Sequence, residues 1–265
     1  MIQFDRYKDG KKHILTMSYD DGNDTDRRLV ELFNRYGIKG TFHLNSGTLD
    51  APNKISKNEA AALYNSHEVA VHTVNHPHLD RIPAQNAVQE IMLDRQKLEQ
   101  LCGYPVRGLS FPFGTYNENV LSIIKTCGIV YGRTTNSTGE FGFPSNFLTW
   151  HPTCHHNSDL IQAGTRFLSD IDCAWRSNLF YVWGHSYEFN RDGNWDLIET
   201  FCEQMAGHEQ VWYATSIEIV DYITAQKKLQ VSVDNKMIHN PSAQTVWINN
   251  NGNTIKITGG ETVRL

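Results

Sequence analysis

Short apolar runs alternate with amphipathic segments over most of the chain. Residues 15–19 are typical of a buried strand, and residues 24–37 carry apolar side chains at the spacing of one helix face. Strands that alternate with helices along one chain favour a parallel sheet. About eight such units in roughly 225 residues fit a closed (β/α) barrel. An open doubly wound sheet is the alternative, but no G-x-G-x-x-G motif follows the first strand.

The same pattern places the individual elements. A loop rich in Gly, Ser, Pro and Asn is predicted at residues 136–146. Predicted strands lie at residues 15–20, 38–45, 68–73, 106–111, 129–134, 147–153, 179–184 and 211–214. Predicted helices lie at residues 24–37, 56–65, 83–101, 117–126, 158–169, 195–205 and 217–228.

The pattern changes after Lys228. Short runs of alternating apolar residues follow, and the pair Asn251-Gly252 is a strong signal for a hairpin turn. We therefore divide the chain into a barrel at residues 1–228 and a small β extension at residues 229–265 that packs on it.

Composition narrows the class of protein. The chain has 265 residues, 40% of them hydrophobic, which suits one large domain or a domain with an appendage. A net charge of −5 without a long basic run argues against nucleic acid as a partner. No stretch is apolar enough to span a membrane, so no membrane partner is expected. The polar N-terminus lacks the apolar core of a signal peptide and favours a cytoplasmic location, although a trimmed secreted chain would start the same way.

The five cysteines do not predict a disulfide framework or a cysteine zinc site. Their number is odd, their spacing is wide, and no C-x-x-C pair occurs. We expect reduced, mostly buried thiols.

Candidate chemistry begins with two adjacent carboxylates, Asp20 and Asp21, at the end of the first barrel strand. Successive side chains of a strand point to opposite faces, so the two acids can take different roles. One can hold a cation while the other moves a proton. In a barrel, such groups collect at the carboxyl ends of the strands.

His72 and His76 follow another strand and are four residues apart. In a helical turn this spacing puts both imidazoles on one face. Alone, one H-x-x-x-H pair most often marks two surface histidines. Together with a carboxylate from another strand end, it predicts a divalent metal site with open positions for water and substrate. His78, His155 and His156 are assigned structural or supporting roles and are not counted as metal ligands.

Four motifs in order resemble the polysaccharide deacetylase family, also called the NodB-homology family or carbohydrate esterase family four. They are S-Y-D-D-G at residues 18–22, H-T-V-N-H at 72–76, F-P-F-G at 111–114, and a late apolar strand that ends in His185. The resemblance covers about residues 13–228. It implies an α/β fold, a distorted (β/α) TIM-like barrel, and hydrolysis of N- or O-acetyl groups on sugars with a divalent metal, usually zinc.

Carried over by position, the resemblance implies a role for each site residue. Asp20 would be the general base and His185 the general acid. Asp21, His72 and His76 would hold the metal, and the backbone N–H near Phe113 would help to stabilise the oxyanion. Further substrate contacts are predicted, with barrel packing as the alternative for the aromatic residues among them, for Gly114, Tyr116, Trp150, His151 and Trp183.

Three departures from the family pattern leave questions open. Ser110 stands where an arginine usually touches the base, and Arg107 should face the other way. Gly184 replaces a leucine of the acetyl pocket, so that pocket is predicted to be wider or differently walled. The carboxylate that orients His185 remains open among Glu140, Asp170, Asp172 and Glu188.

The leading hypothesis is a metal-dependent deacetylase of an acetylated carbohydrate. The alternative is an amidohydrolase of the same fold that acts on a small, non-sugar cyclic amide. A third hypothesis is an inactive carbohydrate-binding protein. The exact substrate, the metal and the oligomeric state are not determined by the sequence.

Overall fold

A curled parallel sheet forms the centre of the molecule, and helices cover its outer face. The structure, a computed structural model, describes residues 1–171, 173 and 177–265. The strands within these residues are β1 (Ile2–Gln3), β2 (His13–Asp20), β3 (Gly40–Leu44), β4 (Glu68–Val71), β5 (Gly108–Ser110), β6 (Tyr131–Arg133), β7 (Cys154–His155), β8 (Leu179–Gly184), β9 (Val211–Tyr213), β10 (Gln230–Val231), β11 (Met237–His239), β12 (Val246–Asn250), β13 (Asn253–Ile257) and β14 (Thr262–Arg264). The helices are α1 (Asp26–Tyr36), α2 (Lys57–Leu63), α3 (Ala84–Cys102), α4 (Glu118–Thr126), α5 (Leu160–Ser169), α6 (Tyr187–Asp192), α7 (Trp195–Met205) and α8 (Ser216–Lys227).

The sheet order is β6-β5-β4-β3-β2-β8-β7, all parallel, with β9 paired beside β2. Residues 150–155 join its two edges. Trp150 forms a parallel bridge with Arg133 of β6, and β7 pairs with β8. This irregular closure confirms the predicted α/β class and the distorted (β/α) barrel.

Strand β2 is the centre of the sheet, and every one of its residues is buried. Its apolar side chains pack against neighbouring strands and helices, as the run at residues 15–19 predicts. Helix α1 follows and buries Leu29, Val30 and Phe33. Gly37 ends it in the left-handed conformation. The carboxyl edge of the barrel thus begins from a fully buried strand.

The predicted strand at residues 147–153 is wrong. Phe147–Thr149 form a 3₁₀ turn that the Asn146 side chain caps, and regular pairing starts only at Cys154. Pro152 has no N–H to donate to a ladder, which explains the interruption. Helix α6 was not predicted, because its six residues are mostly polar and too few to show a periodic face.

The C-terminal residues, together with the N-terminal strand β1, form two small antiparallel sheets, β1-β12-β13 and β10-β11-β14. Ile238, Ile248 and Ile257 pack between them. The predicted hairpin is confirmed, since Asn250 pairs with Asn253 across a turn in which Asn251 and Gly252 have positive φ. The N-terminal strand β1 pairs with β12, although residues 1–228 were assigned to the barrel.

All five cysteines are free thiols, and three of them, Cys127, Cys154 and Cys202, are buried. In the part of the chain that the structure describes, no helix combines the length and the hydropathy that crossing a bilayer requires.

Candidate metal centre and active site

Asp20 and Asp21 diverge at the carboxyl end of β2. Asp20 is the last residue of the strand and is 3% exposed. Asp21 adopts φ +79°, and its N–H bonds to the carbonyl oxygen of His43 at 2.9 Å. This left-handed conformation is costly for a residue with a side chain. It turns the two neighbouring carboxylates to separate positions.

Asp21, His72 and His76 form one cluster, the ligand set, in which each residue offers one donor atom within 4.8 Å of the others. Asp21 Oδ1 lies 3.6 Å from His72 Nε2 and 3.9 Å from His76 Nε2. One carboxylate and two imidazoles are a common zinc donor set that leaves room for water or substrate.

The protonation state of His72 is the one that a metal ligand requires. Its Nδ1 lies 2.9 Å from the carbonyl oxygen of Ser110 and 2.6 Å from the hydroxyl of Ser110. The carbonyl can only accept, so the ring hydrogen sits on Nδ1 and the Nε2 lone pair faces Asp21. Burial lowers the pKa of His72 to about 4, against a smaller opposing effect of Asp20 and Asp21. The imidazole is therefore neutral near pH 7.

The loop that carries His72 and His76 is not the helical turn that the spacing suggests. Thr73 and His76 have φ of +68° and +58°. The Thr73 hydroxyl accepts a hydrogen bond from the His76 N–H at 3.0 Å, and Asn45 donates to the Thr73 carbonyl at 3.1 Å. Strained backbone positions of this kind concentrate at functional sites.

Three residues from the ends of strands β2, β5 and β6 form what we call the base cluster: Asp20, Ser110 and Arg133. Arg133 donates a hydrogen bond to Asp20 Oδ2, and the Ser110 hydroxyl donates to Oδ1 at 3.1 Å. Burial raises the pKa of Asp20, but Arg133 and nearby histidines, His72 first, lower it by more. The net pKa of Asp20 lies well below its usual range, so the carboxylate is ionised at neutral pH.

Arg133 is the arginine that contacts Asp20, in place of the one expected at the position of Ser110. Ser110 of β5 pairs in register with Arg133 of β6, so the guanidinium arrives from the adjacent strand. Its side chain is fully buried and stacks on Trp183 at 4.6 Å. As expected, Arg107 faces elsewhere and binds Asp221. The sequence contained a signal for this pairing, because an arginine in a buried strand needs a partner of opposite charge.

His185 follows β8 and meets Glu188 on the first turn of α6. His185 Nδ1 lies 3.4 Å from Glu188 Oε2, which also accepts the His185 backbone N–H at 3.2 Å. Burial lowers the pKa of His185, but Glu188, Asp20 and Asp21 together raise it above its ordinary value. The histidine is thus favoured in its protonated, acidic form.

Four carboxylates were candidates for the residue that orients His185. Among those that the structure describes, Glu188 is the one in contact with His185. Glu140 is an exposed residue of the loop before Phe141, and Asp170 accepts a hydrogen bond from Asn178. Asp172 lies outside the described residues. His155 Nε2 and His156 Nε2 also approach Glu188 Oε2, at 3.0 and 3.3 Å. We call His155, His156, His185 and Glu188 the acid cluster.

Phe113 and Gly114 lie in a tight turn beside the ligand set. Phe113 has φ +57°, is 55% exposed, and stacks on His78 with its centroid 4.5 Å from that of His76. Gly114 has φ +69°, and a Cβ there would lie 2.1 Å from Thr135 Oγ1. Tyr116 is half-buried against Phe111.

Other predicted substrate contacts fall in different environments. Trp150 is 1% exposed and packs on Tyr131 and Tyr181, so it is a core residue and the predicted substrate contact is wrong for it. Its position at an irregular strand end suggested the rim, but barrel closure covers it. Trp183 is half-buried beside His155. His151 is exposed, bonds to Thr134 and lines a separate cleft of about 310 Å³.

Gly184 does not leave an empty space. A Cβ at this position would lie 1.9 Å from His156 Nδ1. The buried ring of His156, stacked between Tyr19 and Phe189, occupies that volume. The wall beside His185 is therefore differently built.

Comparisons with known proteins find likenesses in part of the sequence and in the fold. The family model described as polysaccharide deacetylase matches residues 7–132. This segment contains Asp20, the ligand set and the Phe113 turn, while Arg133 and His185 lie beyond it. Among curated proteins, none matches the sequence.

Solved structures share the fold at low identity. A structure assigned to the polysaccharide deacetylases, from Mycobacterium smegmatis, is 14% identical with a TM-score of 0.60, over 86% of this chain and 96% of that one. The Xyl-CE4 domain of a multidomain xylanase from the Trinervitermes trinervoides hindgut metagenome is 15% identical with a TM-score of 0.56, over 80% and 91%. A CE4 family pseudoenzyme from Bacillus anthracis is 15% identical with a TM-score of 0.54, over 78% and 65%.

Three further solved structures, one of a deacetylase and two of polysaccharide deacetylases, match over a shorter part of their length. The chain spans about half of them, 44–55%. At these identities the structural matches establish the fold alone. The family match over residues 7–132 confirms the resemblance to the polysaccharide deacetylase family that the sequence motifs predict.

Proposed function

We propose that this chain is a metal-dependent hydrolase that removes acetyl groups from a carbohydrate. The observation that carries the proposal is the meeting of the ligand set, the ionised Asp20 and His185 at one edge of the barrel. Metal, base and acid are the groups that hydrolysis of an amide or ester uses. The family match supports an acetylated carbohydrate as the substrate class.

The ligand set fits a divalent ion, with zinc as the expected metal. Its donors are one carboxylate oxygen and two imidazole nitrogens, and the His72 tautomer already presents a lone pair at Nε2. When bound, such an ion supplies Lewis acidity toward the acetyl carbonyl and toward water.

Asp20 takes the proton of the attacking water. Arg133 and Ser110 each engage one of its oxygens, so the carboxylate is fixed in orientation and stays ionised. The lowered pKa makes Asp20 a weak base, but it is in its proton-accepting form at every pH near neutrality. Ser110 also links the base to His72, because its hydroxyl approaches both.

His185 delivers a proton to the leaving group from Nε2. Glu188 holds Nδ1, which fixes the ring orientation and favours the protonated form. In this proposal the turn at Phe113 contributes a backbone N–H to the oxyanion.

The test compares Asp20→Asn with wild-type protein reconstituted with zinc, on a panel of acetylated sugars. We expect acetate release by the wild type and a loss of at least about 100-fold in kcat for the variant. Zinc binding should change little, since the ligand set is intact, whereas the melting temperature should fall because buried Arg133 loses its charged partner. Asp50→Asn, an exposed carboxylate, is the matched control. Turnover retained by Asp20→Asn contradicts the assigned base.

The small-amide alternative rests on one observation, the His156 ring beside Gly184. A differently built wall next to His185 suits a substrate other than an acetyl group. Small cyclic amides belong in the same screen, and their turnover without acetate release from any sugar favours this alternative. Turnover of neither class favours an inactive binding protein.

A further inference from the structure

A second set of metal-ligand atoms lies in the acid cluster. His155, His185 and Glu188 each offer one donor atom within 4.8 Å of the others. Glu188 Oε2 lies 3.0 Å from His155 Nε2 and 3.4 Å from His185 Nδ1. Ligands that bind zinc tetrahedrally at about 2.0–2.1 Å are about 3.3 Å apart. The two separations from Glu188 Oε2 therefore suit a four-coordinate ion.

His156 is an independent indication. It is fully buried, and neither of its ring nitrogens makes a hydrogen bond. An imidazole offers one donor and one acceptor, and burying both without partners is costly. His156 Nε2 lies 3.3 Å from the same Glu188 oxygen. A buried imidazole without a hydrogen bond thus lies beside the atom on which the other ligands converge.

Charge also favours a cation at this place. Glu188 is a buried carboxylate, and its Oε2 faces the imidazoles of His155, His156 and His185. Its second oxygen, Oε1, lies 3.5 Å from Arg191, so Oε2 is the oxygen left for the histidines. The donors are one carboxylate and two imidazoles, as in the ligand set.

We propose that His155, His185 and Glu188 form a second divalent metal site, and that its occupation inhibits the enzyme. The site itself is independent of the proposed function, whereas the inhibition rests on it. An ion bound at His185 Nδ1 displaces the proton that Glu188 holds there. His185 then keeps its Nε2 hydrogen but as a neutral imidazole, which is a much weaker acid toward the leaving group than the imidazolium.

Binding requires a defined proton rearrangement. His155 Nδ1 accepts the N–H of exposed Asn157 at 3.2 Å, which places the ring hydrogen on Nε2. An ion at Nε2 moves that hydrogen to Nδ1, and water replaces His155 as the acceptor for Asn157. His185 releases its Nδ1 proton to solvent. Binding at the second site therefore releases protons and weakens as the pH falls.

The experiment titrates chelator-treated protein with zinc chloride and measures stoichiometry without substrate. We expect two equivalents for the wild type, one for His155→Gln and one for Asp21→Asn. His239→Gln, a histidine of the C-terminal extension, should bind two. Circular dichroism checks folding, and Glu188→Gln replaces His155→Gln if the latter fails to fold. One equivalent in the wild type, or two in His155→Gln, overturns the site.

Acetate release is then followed over the same titration. We expect activity to rise to the first equivalent and to fall by at least about 10-fold with the second. His155→Gln should keep, at two equivalents, the activity it has at one. A wild type that binds two ions but releases no acetate at any loading contradicts the proposed function and leaves the site intact. Two bound ions without a fall in activity overturn the inhibition.

Discussion

The base cluster and the acid cluster use the same chemistry in opposite ways. In the proposed mechanism, the carboxylate of Asp20 reacts in the base cluster and the cation of Arg133 holds it in place. In the acid cluster, His185 would react and the carboxylate of Glu188 would hold it. In each pair, the charged group that is proposed to react is held by an opposite charge that does not itself react. The reactive group of each pair is set to its working protonation state by its partner.

The two clusters differ in how the chain builds them. Asp20, Ser110 and Arg133 come from β2, β5 and β6, and the pair Asp20–Arg133 spans 113 residues of sequence. His185 and Glu188 are three residues apart at the end of one strand. The base cluster therefore depends on the register of the barrel, whereas the core of the acid cluster depends on one turn. Loss of a partner should affect stability in the first and catalysis in the second.

The largest expected effect is on the stability of the base cluster. Arg133→Met leaves Asp20 as an unpaired buried charge, and we expect a loss of about 3–5 kcal/mol in unfolding free energy at pH 7. Arg107→Met, which breaks a half-exposed pair with Asp221, is the matched control and should lose at most about 1 kcal/mol. Urea unfolding measures both.

The pH dependence of that loss has a definite sign. Arg133 lowers the pKa of Asp20 in the folded state, so the stabilisation is present above the pKa of an unfolded aspartate, about 4. It disappears as the pH falls through the folded-state pKa. The difference between wild type and Arg133→Met should therefore shrink in acid. Equal losses for the two arginine variants would contradict the assigned importance of the base cluster.

Glu188→Gln tests the acid cluster, with an intermediate effect. The fold should persist, and kcat should fall by about 10-fold or more because His185 loses its positioning partner. Glu188 helps to raise the pKa of His185, so its removal lowers that pKa. The alkaline limb of the kcat/KM profile, which requires protonated His185, should move to lower pH. A fall in rate with an unmoved limb would indicate a merely structural role.

The smallest expected effect sharpens the comparison at the ligand set. Asp94 of α3 is fully buried, and its carboxylate accepts the N–H groups of Ser46 and His72 at 2.7 and 3.1 Å. Burial raises the pKa of Asp94 to about 7. Asp94→Asn loses one acceptor, and we expect zinc affinity to fall by up to about 10-fold in chelator competition. Lys97→Gln, at an exposed position of the same helix, is the control. An unchanged affinity would show that His72 needs no such support.

Local pattern was sufficient for much of the molecule. The apolar run of β2, the helix that Gly37 ends and the hairpin at Asn251-Gly252 depend on neighbouring residues, and the structure has all three. Where a residue is unable to donate to a ladder, as at Pro152, the predicted strand failed. The predicted substrate contact of Trp150 was wrong for a different reason. The burial of Trp150 depends on how distant strands close the barrel.

The sequence by itself determined the order of the elements, the family resemblance and the positions of Asp20, Asp21, His72, His76 and His185 at strand ends. These follow from periodicities of a few residues and from short motifs. Only the tertiary structure decided that Arg133 supports Asp20, that Glu188 supports His185 and that His156 fills the space beside Gly184. Such pairings depend on strand register and on side-chain direction across the barrel, which distances along the chain do not encode.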